Sequence, residues 1–240
     1  MIHLKFKELF MGLDRAHGSY EISGERADGK KQGRAKTVRE DVTDDKWQSH
    51  IQGKMGLGII PINDNSECRF GAIDIDEYEG LDLGAINKKL IDFKFPLWPC
   101  QSKSGGVHLY CFTSEWVGAD TLQRKLRDMA AALGYGSSEI FPKQTQILAE
   151  RGDVGQWINM PYFGKERWCN NMDPKDFVEA ALKNRLTSKQ LSDLKIKMPE
   201  SDFDDGPPCL QHLSGQGFPS GTRNNGLFNV AVYCLSLIHI

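Results

Sequence analysis

The strongest constraint on this chain is the way its hydrophobic period switches between two and about 3.6 from residue 69 to residue 141. RFGAIDID is a short β-type run. Behind it Ile86, Leu90 and Phe93 recur at i, i+4, i+7 and stop before Pro96, the signature of a helix. PLWPCQS and VHLYCF then flank the glycine turn Ser104-Gly105-Gly106 and read as a hairpin. Asp120 stands at an N-cap position, and Leu122, Leu126, Met129 and Leu133 share one helical face. Gly134 follows as a stop before the apolar run Glu139-Ile140-Phe141.

This order predicts an α+β fold with a ferredoxin-like or RRM-like βαββαβ core, an antiparallel sheet with both helices on one face and the other face free for function. QWINMPYF (156–163) predicts a further strand, and the residues before 69 form an N-terminal α/β extension. Residues 22–45 contain almost no large apolar side chain and predict an exposed, mobile, partly basic loop. Within it GERADGKK nearly spells a phosphate loop. Lys31 occupies the place of the required Ser or Thr, and no strand precedes or amphipathic helix follows, so that reading fails.

Asp173-Pro174 predicts an N-cap and N1 pair opening a helix to about Leu182, and Thr187 with Gln190 predicts a capping box. MPESDFDDGPP (198–208) has little to bury and reads as a linker. The expected organisation is one domain over 1–200, then over 201–240 a linker and the truncated start of a second domain. The last six residues, LSLIHI, match a translated library-adapter end and are expected to carry no function. Otherwise Leu235, Leu237 and Ile238 continue an amphipathic helix begun at Leu227.

Thirty Lys and Arg against 32 Asp and Glu give a net charge of −2, so no global positive field draws the chain to nucleic acid or membrane, and any polyanion must be met locally. No stretch approaches the ~18 apolar residues of a membrane span, and MIHLKFKELFMG lacks a secretory signal pattern. A cytoplasmic protein with no membrane partner is expected. The six cysteines, 68, 100, 111, 169, 209 and 234, contain no CxxC pair and predict reduced thiols. Cys209 and His212 have CxxH spacing with Cys234 beyond, a partial zinc or iron–sulfur pattern set against the commoner buried reduced cysteine.

The chemistry-bearing residues fall in the same unit. Asp74 and Asp76 are two apart on a strand, which puts both carboxylates on one face and Ile73 and Ile75 on the other. Hard oxygens at this spacing suit Mg²⁺ or Mn²⁺, and the alternative is a solvated strand end. Ser102, Lys103, Ser104, two glycines and His108 resemble an anion cradle, or else a glycine turn with a hydrogen-bonded structural histidine. Glu139 is a third carboxylate or an exposed strand-end residue.

Taken in order, hydrophobic-Asp-hydrophobic-Asp, small-x-His and a terminal acid resemble the archaeo-eukaryotic primase superfamily of primase-polymerases. GAIDIDEY, SKSGGVHLY, EIFPKQ and WINMPYF are similar to the primase domain of TOTE conflict systems, phages and CRISPR-associated primase-polymerases. The similarity runs over about residues 8–165, including LFMGLDRAHGSY and WQSHIQGKMGLGIIPI.

The resemblance implies template-directed transfer of a nucleotide from an NTP or dNTP to a 3′-hydroxyl, with two Mg²⁺ or Mn²⁺ ions held by Asp74, Asp76 and Glu139. The family often has Asp where this chain has Glu139. It implies a phosphate contact for His108, nucleotide contacts for Lys103 and Ser104 beside it, and nucleotide or template contacts for Lys143 and Gln144; Asn159 and Tyr162 either line the same cleft or belong to a buried strand. PSGTRNNGLFNVAVY resembles the start of the PriCT-like helical domain that follows such cores, with Arg223 and Asn224 as template contacts or helix caps. The implied partners are single-stranded DNA and fused or associated helicase, nuclease or CRISPR proteins, in a prokaryotic, phage or mobile-element setting. Two other functions compete: a repair or gap-filling polymerase that cannot prime, which shares every motif, and a dead RRM-like nucleic-acid binder, which calls for stacking aromatics rather than carboxylates on the open sheet face. The dead binder would stack bases on Tyr110 and Phe112.

Overall fold

A computed structural model describes residues 1–25, 31–76, 81–197, 203, 206–215, 218 and 222–238. Among these residues the chain is an α+β protein with two antiparallel sheets and eight α-helices. The order begins α1 (Ile2–Leu9), β1 (His17–Glu25), β2 (Lys31–Val38), α2 (Asp44–Ile51) and β3 (Leu57–Ile59). It continues β4 (Glu67–Ile75), α3 (Leu83–Phe93), β5 (Trp98–Gln101), β6 (Val107–Gly118), α4 (Ala119–Leu133) and β7 (Glu139–Phe141). After a 3-10 turn come β8 (Ile158–Asn159), α5 (Pro174–Lys183), α6 (Ser188–Asp193), α7 (Pro208–Gly215) and α8 (Arg223–Ile238). The first sheet has the order β2-β1-β3-β8 and the second β5-β6-β4-β7.

Local chemistry sets most boundaries. The Asp82 carboxylate accepts the Gly84 N–H at 2.8 Å to open α3, and Lys94 ends it in the left-handed region ahead of Pro96. Asp173 caps α5 with Pro174 behind it, and Thr187 and Gln190 complete a reciprocal capping box on α6. Gly134 closes α4 at φ 89°. Asp120 does not cap α4. Gly118 holds that place without a side-chain bond, and Asp120 lies in the first turn, where its charge still meets the helix dipole favourably.

Residues 22–45 also depart from expectation. Much of this segment is a long hairpin, β1 against β2, and Thr43 caps α2 through the Lys46 N–H. Backbone pairing stabilises such a hairpin without large side chains, which is why hydrophobic period did not announce it. A strand, β1, does run into the phosphate-loop look-alike, contrary to the expectation that none precedes it, while its residues 26–30 lie outside the described residues. The strand predicted in 156–163 is β8, and it joins β3 in the first sheet. Residues 235–238 continue helix α8. No helix among the described residues is long and apolar enough to cross a membrane.

Both faces of the second sheet are buried. On one, Ile73, Ile75, Val107, Leu109, Cys111 and Ile140 pack with Ile86 and Leu90 of α3 and Leu122, Leu126 and Met129 of α4. On the other, Phe70, Ala72, Tyr110, Phe112 and Phe141 pack with Phe6 and Phe10, Trp47, Tyr162 and Phe177. The face expected to lie open is therefore covered by the N-terminal extension and α5. The aromatic groups of α1 and α5 bury themselves against it.

The cysteines bring a further correction. Cys100 and Cys169 form a disulfide, leaving Cys68, Cys111, Cys209 and Cys234 as free thiols. The two are 69 residues apart, and tertiary bonds bring them together: Gln101 N–H donates to the Trp168 carbonyl at 2.9 Å and Asn170 N–H to the Pro99 carbonyl at 3.2 Å. No local spacing could reveal a pair made this way.

His50 ties α2 to both neighbouring segments. Its Nδ1 accepts the Leu57 N–H at 3.0 Å and its Nε2–H donates to the Pro161 carbonyl at 2.9 Å, which fixes a neutral ring. Burial drives its pKa down from 6.5 to about 4. The unfolded chain takes up the proton first, so the stability this histidine contributes is complete above pH 6.5 and is lost as pH falls toward 4. Its loss comes to roughly 3 kcal/mol. His17, also lowered by burial, acts in the same direction. Urea midpoints at pH 7.5 and 4.5 should therefore separate widely, and less so in His50→Gln. An equal separation in the variant would refute the assignment.

Candidate active site

The antiparallel register places Cys100, His108, Asp74 and Glu139 in one row across β5, β6, β4 and β7. Residues directly opposite in such ladders point to the same face. The next row inward is Trp98, Tyr110, Ala72 and Phe141, where the aromatic cover is complete. The polar row is thus the rim of the covered face. Asp74 is half-buried there, Glu139 is exposed, and Asp76 stands exposed just past the end of β4.

Asp74 and Glu139 are like charges directly opposed, an arrangement that needs compensation. Glu139 has it in Lys143, whose Nζ lies 2.6 Å from Oε2. Asp74 has His108, with Nε2 3.2 Å from Oδ1, but the pair is not aligned as a hydrogen bond, and Oδ1 is buried without a hydrogen-bond partner. A buried, unsatisfied carboxylate oxygen costs about 1–3 kcal/mol or more. Among the described residues no group of three His, Cys, Asp or Glu side chains forms a ready metal cage. A hard carboxylate donor set that leaves positions for water and phosphate is nevertheless what Mg²⁺ takes, and the orphaned Asp74 oxygen fits a cation.

His108 is buried, and its Nδ1 is 3.0 Å from the Tyr110 hydroxyl, which donates to the Asn159 carbonyl at 2.8 Å. Tyr110 is pushed well above its ordinary pKa by burial, with the Asp74 charge adding to the effect, so its proton stays on.

The loop between β5 and β6 closes through Ser102 N–H to the Gly106 carbonyl at 2.9 Å, with Gly105 at φ 97°. A side chain at Gly106 would strike the Ile75 carbonyl, so glycine lets this loop press against the end of β4 beside Asp76. Ser102 and Ser104 hydroxyls lie 3.4 Å apart. Lys103 reaches over the Tyr20 ring, 2.8 Å from its centroid, linking the loop to the first sheet.

The remaining expected residues divide. Gln144 Oε1 accepts the Gln156 N–H at 3.1 Å, which commits one end of this side chain to holding the chain before β8. Asn159 reaches the site through its carbonyl. Tyr162 does not line it. This ring is fully buried among Phe6, Trp168 and Phe177, and its hydroxyl donates to the Met172 carbonyl at 3.1 Å. Tyr110 and Phe112, at 0% and 2% exposure, are equally closed to a nucleobase.

Sequence reasoning missed Tyr110 as a polar partner of His108, although the i, i+2 spacing on one strand face carried the signal. It also missed Tyr20 beneath Lys103, for which no local signal exists. Cys209 and Cys234 are exposed, while the side chains of His212 and Arg223 lie outside the described residues.

A comparison with curated proteins finds no match. The family model of the TOTE conflict system archaeo-eukaryotic primase domain matches residues 18–195, from β1 past α6, and so spans the whole rim row and both loops beside it. With most of its length inside that match, this chain belongs to the archaeo-eukaryotic primase domain family of TOTE conflict systems.

Proposed function

We propose that this chain is a primase-polymerase that transfers a nucleotide from an NTP or dNTP to a 3′-hydroxyl on a single-stranded DNA template, making primers, extending DNA or both. Membership of a primase family supports nucleotidyl transfer. The observation that carries the finer reading is the rim row, in which the orphaned Asp74 oxygen lies between His108 and Glu139 with Asp76 beside it. On this reading the strand order β5-β6-β4-β7, with α3 and α4 on one face, is the ferredoxin-like or RRM-like core. Residues 1–200 are the catalytic domain, and helices α7 and α8 follow it within 201–240.

Asp74, Asp76 and Glu139 would hold two Mg²⁺ or Mn²⁺ ions, which when bound lower the pKa of the attacking hydroxyl and neutralise the departing pyrophosphate. The rest falls to the chain. His108 presents Nε2 at the rim to a phosphate of the incoming nucleotide. The Ser102–Gly106 loop brings backbone N–H groups, Ser104 and Lys103 to the same side. Lys143, which now neutralises Glu139, exchanges that partner for a phosphate as the nucleotide enters. Gln144 steadies the neighbouring segment. Helicase, nuclease or CRISPR proteins, fused or associated, are the proposed partners.

Incubation with unprimed single-stranded DNA, NTPs and dNTPs and Mn²⁺ tests this directly. Products from unprimed template establish priming, and products from primed template alone assign the chain to gap filling. No product from either template would leave a non-catalytic binder, a reading that the burial of Tyr110 and Phe112 already deprives of its stacking surface.

His108→Ala should raise the nucleotide KM about ten- to a hundredfold, the worth of a hydrogen bond to a charged group, with template affinity little changed. Steady-state kinetics beside template-binding titrations check this. Equal losses in both would mark the histidine as structural.

A further inference from the structure

Three polar groups from two sheets line up behind the rim. His108 lies on β6, Tyr110 two residues along the same face, and Asn159 on β8 of the other sheet. Nδ1 of His108 is 3.0 Å from the Tyr110 oxygen, and that oxygen is 2.8 Å from the Asn159 carbonyl. A carbonyl can only accept, and a phenol has one proton. Both hydrogen bonds are therefore made only if Tyr110 donates to Asn159 and His108 donates from Nδ1 to Tyr110. The rings also meet edge to face at 5.7 Å and 85°, so neither turns without disturbing the other. A histidine nitrogen's role is set by the bond its other nitrogen makes.

We propose that Tyr110 is a positioning residue: through the relay His108 Nδ1–H to Tyr110 hydroxyl to Asn159 carbonyl, it holds the histidine so that Nε2 faces Asp74 and the incoming nucleotide. This rests on the nucleotide role proposed for His108. The relay makes the first sheet part of the site, because the final acceptor is the backbone of β8, paired with β3 at Gly58. It also accounts for a tyrosine at a position whose neighbours on that face, Phe70, Phe112 and Phe141, need no hydroxyl.

The test uses Tyr110→Phe, which keeps the ring and removes the hydroxyl, in the full chain labelled with ¹⁵N-histidine. Long-range ¹H–¹⁵N spectra report which ring nitrogen carries a proton, and His108 is assigned by its absence from the His108→Gln spectrum. The spectra are taken at a pH where the ring carries one proton, and in the wild type that proton is expected on Nδ1; a phosphate contact through Nε2 then adds the second proton of the imidazolium. In Tyr110→Phe at the same pH the proton leaves Nδ1 for Nε2 in a substantial fraction of molecules; the ring, no longer anchored by the phenol, presents Nε2 to the nucleotide in the bound orientation less often, and the nucleotide KM rises about fivefold with kcat within about twofold.

A bare Nδ1 in the wild type overturns the proposal, as does an unchanged His108 pattern in the variant. Should Tyr110→Phe not fold, the wild-type spectrum alone decides. The tautomer is read without turnover, so a wild type that fails to polymerise defeats the proposed function and leaves the relay to be judged on its own signal.

Discussion

Asp74→Ala is expected to reduce nucleotide incorporation at least a hundredfold while leaving the melting temperature unchanged or raised. The Asp74 side chain contributes nothing to either core cluster, and its buried Oδ1 accepts no hydrogen bond. Removing it ends the opposition to Glu139 across the ladder and leaves His108 able to face water at the rim. Function and stability thus move in opposite directions, a combination expected of a group placed for chemistry at the expense of the fold. Asp76→Ala should behave alike in activity. Primer extension under saturating Mn²⁺, paired with thermal melts, checks both. Incorporation above a few per cent of wild type in either variant would show that these carboxylates are not the metal ligands.

Phe10→Ala is expected to destabilise the protein by about 3–5 kcal/mol. The Phe10 ring is buried and meets Phe70, Tyr110 and Phe112 edge-on at 5.3, 5.1 and 5.1 Å, with Phe6 and Trp47 beside it. No small residue can reproduce these contacts, and the surrounding strands are too firmly paired to collapse into the void. Leu4, on the exposed side of the helix α1 that Phe10 caps, is the control, and its alanine variant should stay within about 0.5 kcal/mol of wild type. Urea unfolding of the two variants measures the contrast. A loss below about 1 kcal/mol in Phe10→Ala would mean that the N-terminal helix does not belong to the core it covers.

The elements that periodicity and capping chemistry control were legible before any coordinates. The face that Leu122, Leu126 and Met129 share, the Asp173-Pro174 start and the Thr187–Gln190 box each depend on residues within a few positions of one another. The resemblance tied Asp74 to His108 and Glu139 across the sheet, and the strand register puts these three in one row. What stayed hidden depends on distant pairing. The β1–β2 hairpin is held by backbone bonds between polar residues, and the Cys100–Cys169 bond by a contact between strand and loop. The covering of the second face is decided by where the aromatic side of α1 docks. Tyr110 shows the cost. Alternation correctly placed it on the face of His108, but whether that face is a platform or a wall is settled by residues a hundred positions away.

The abrupt passage from wall to rim has a consequence for anyone wishing to re-engineer the enzyme. One strand step inward from Asp74 and His108, Ala72 and Tyr110 are tightly packed, so the floor of the proposed site has few editable positions. The freedom lies at the two ends that overhang it, the Ser102–Gly106 loop with its clasp on Tyr20 and the segment beyond β7 that carries Lys143 and Gln144. On the proposed function, libraries aimed at sugar choice or template preference belong in those overhangs, where a substitution does not ask the sheet to repack.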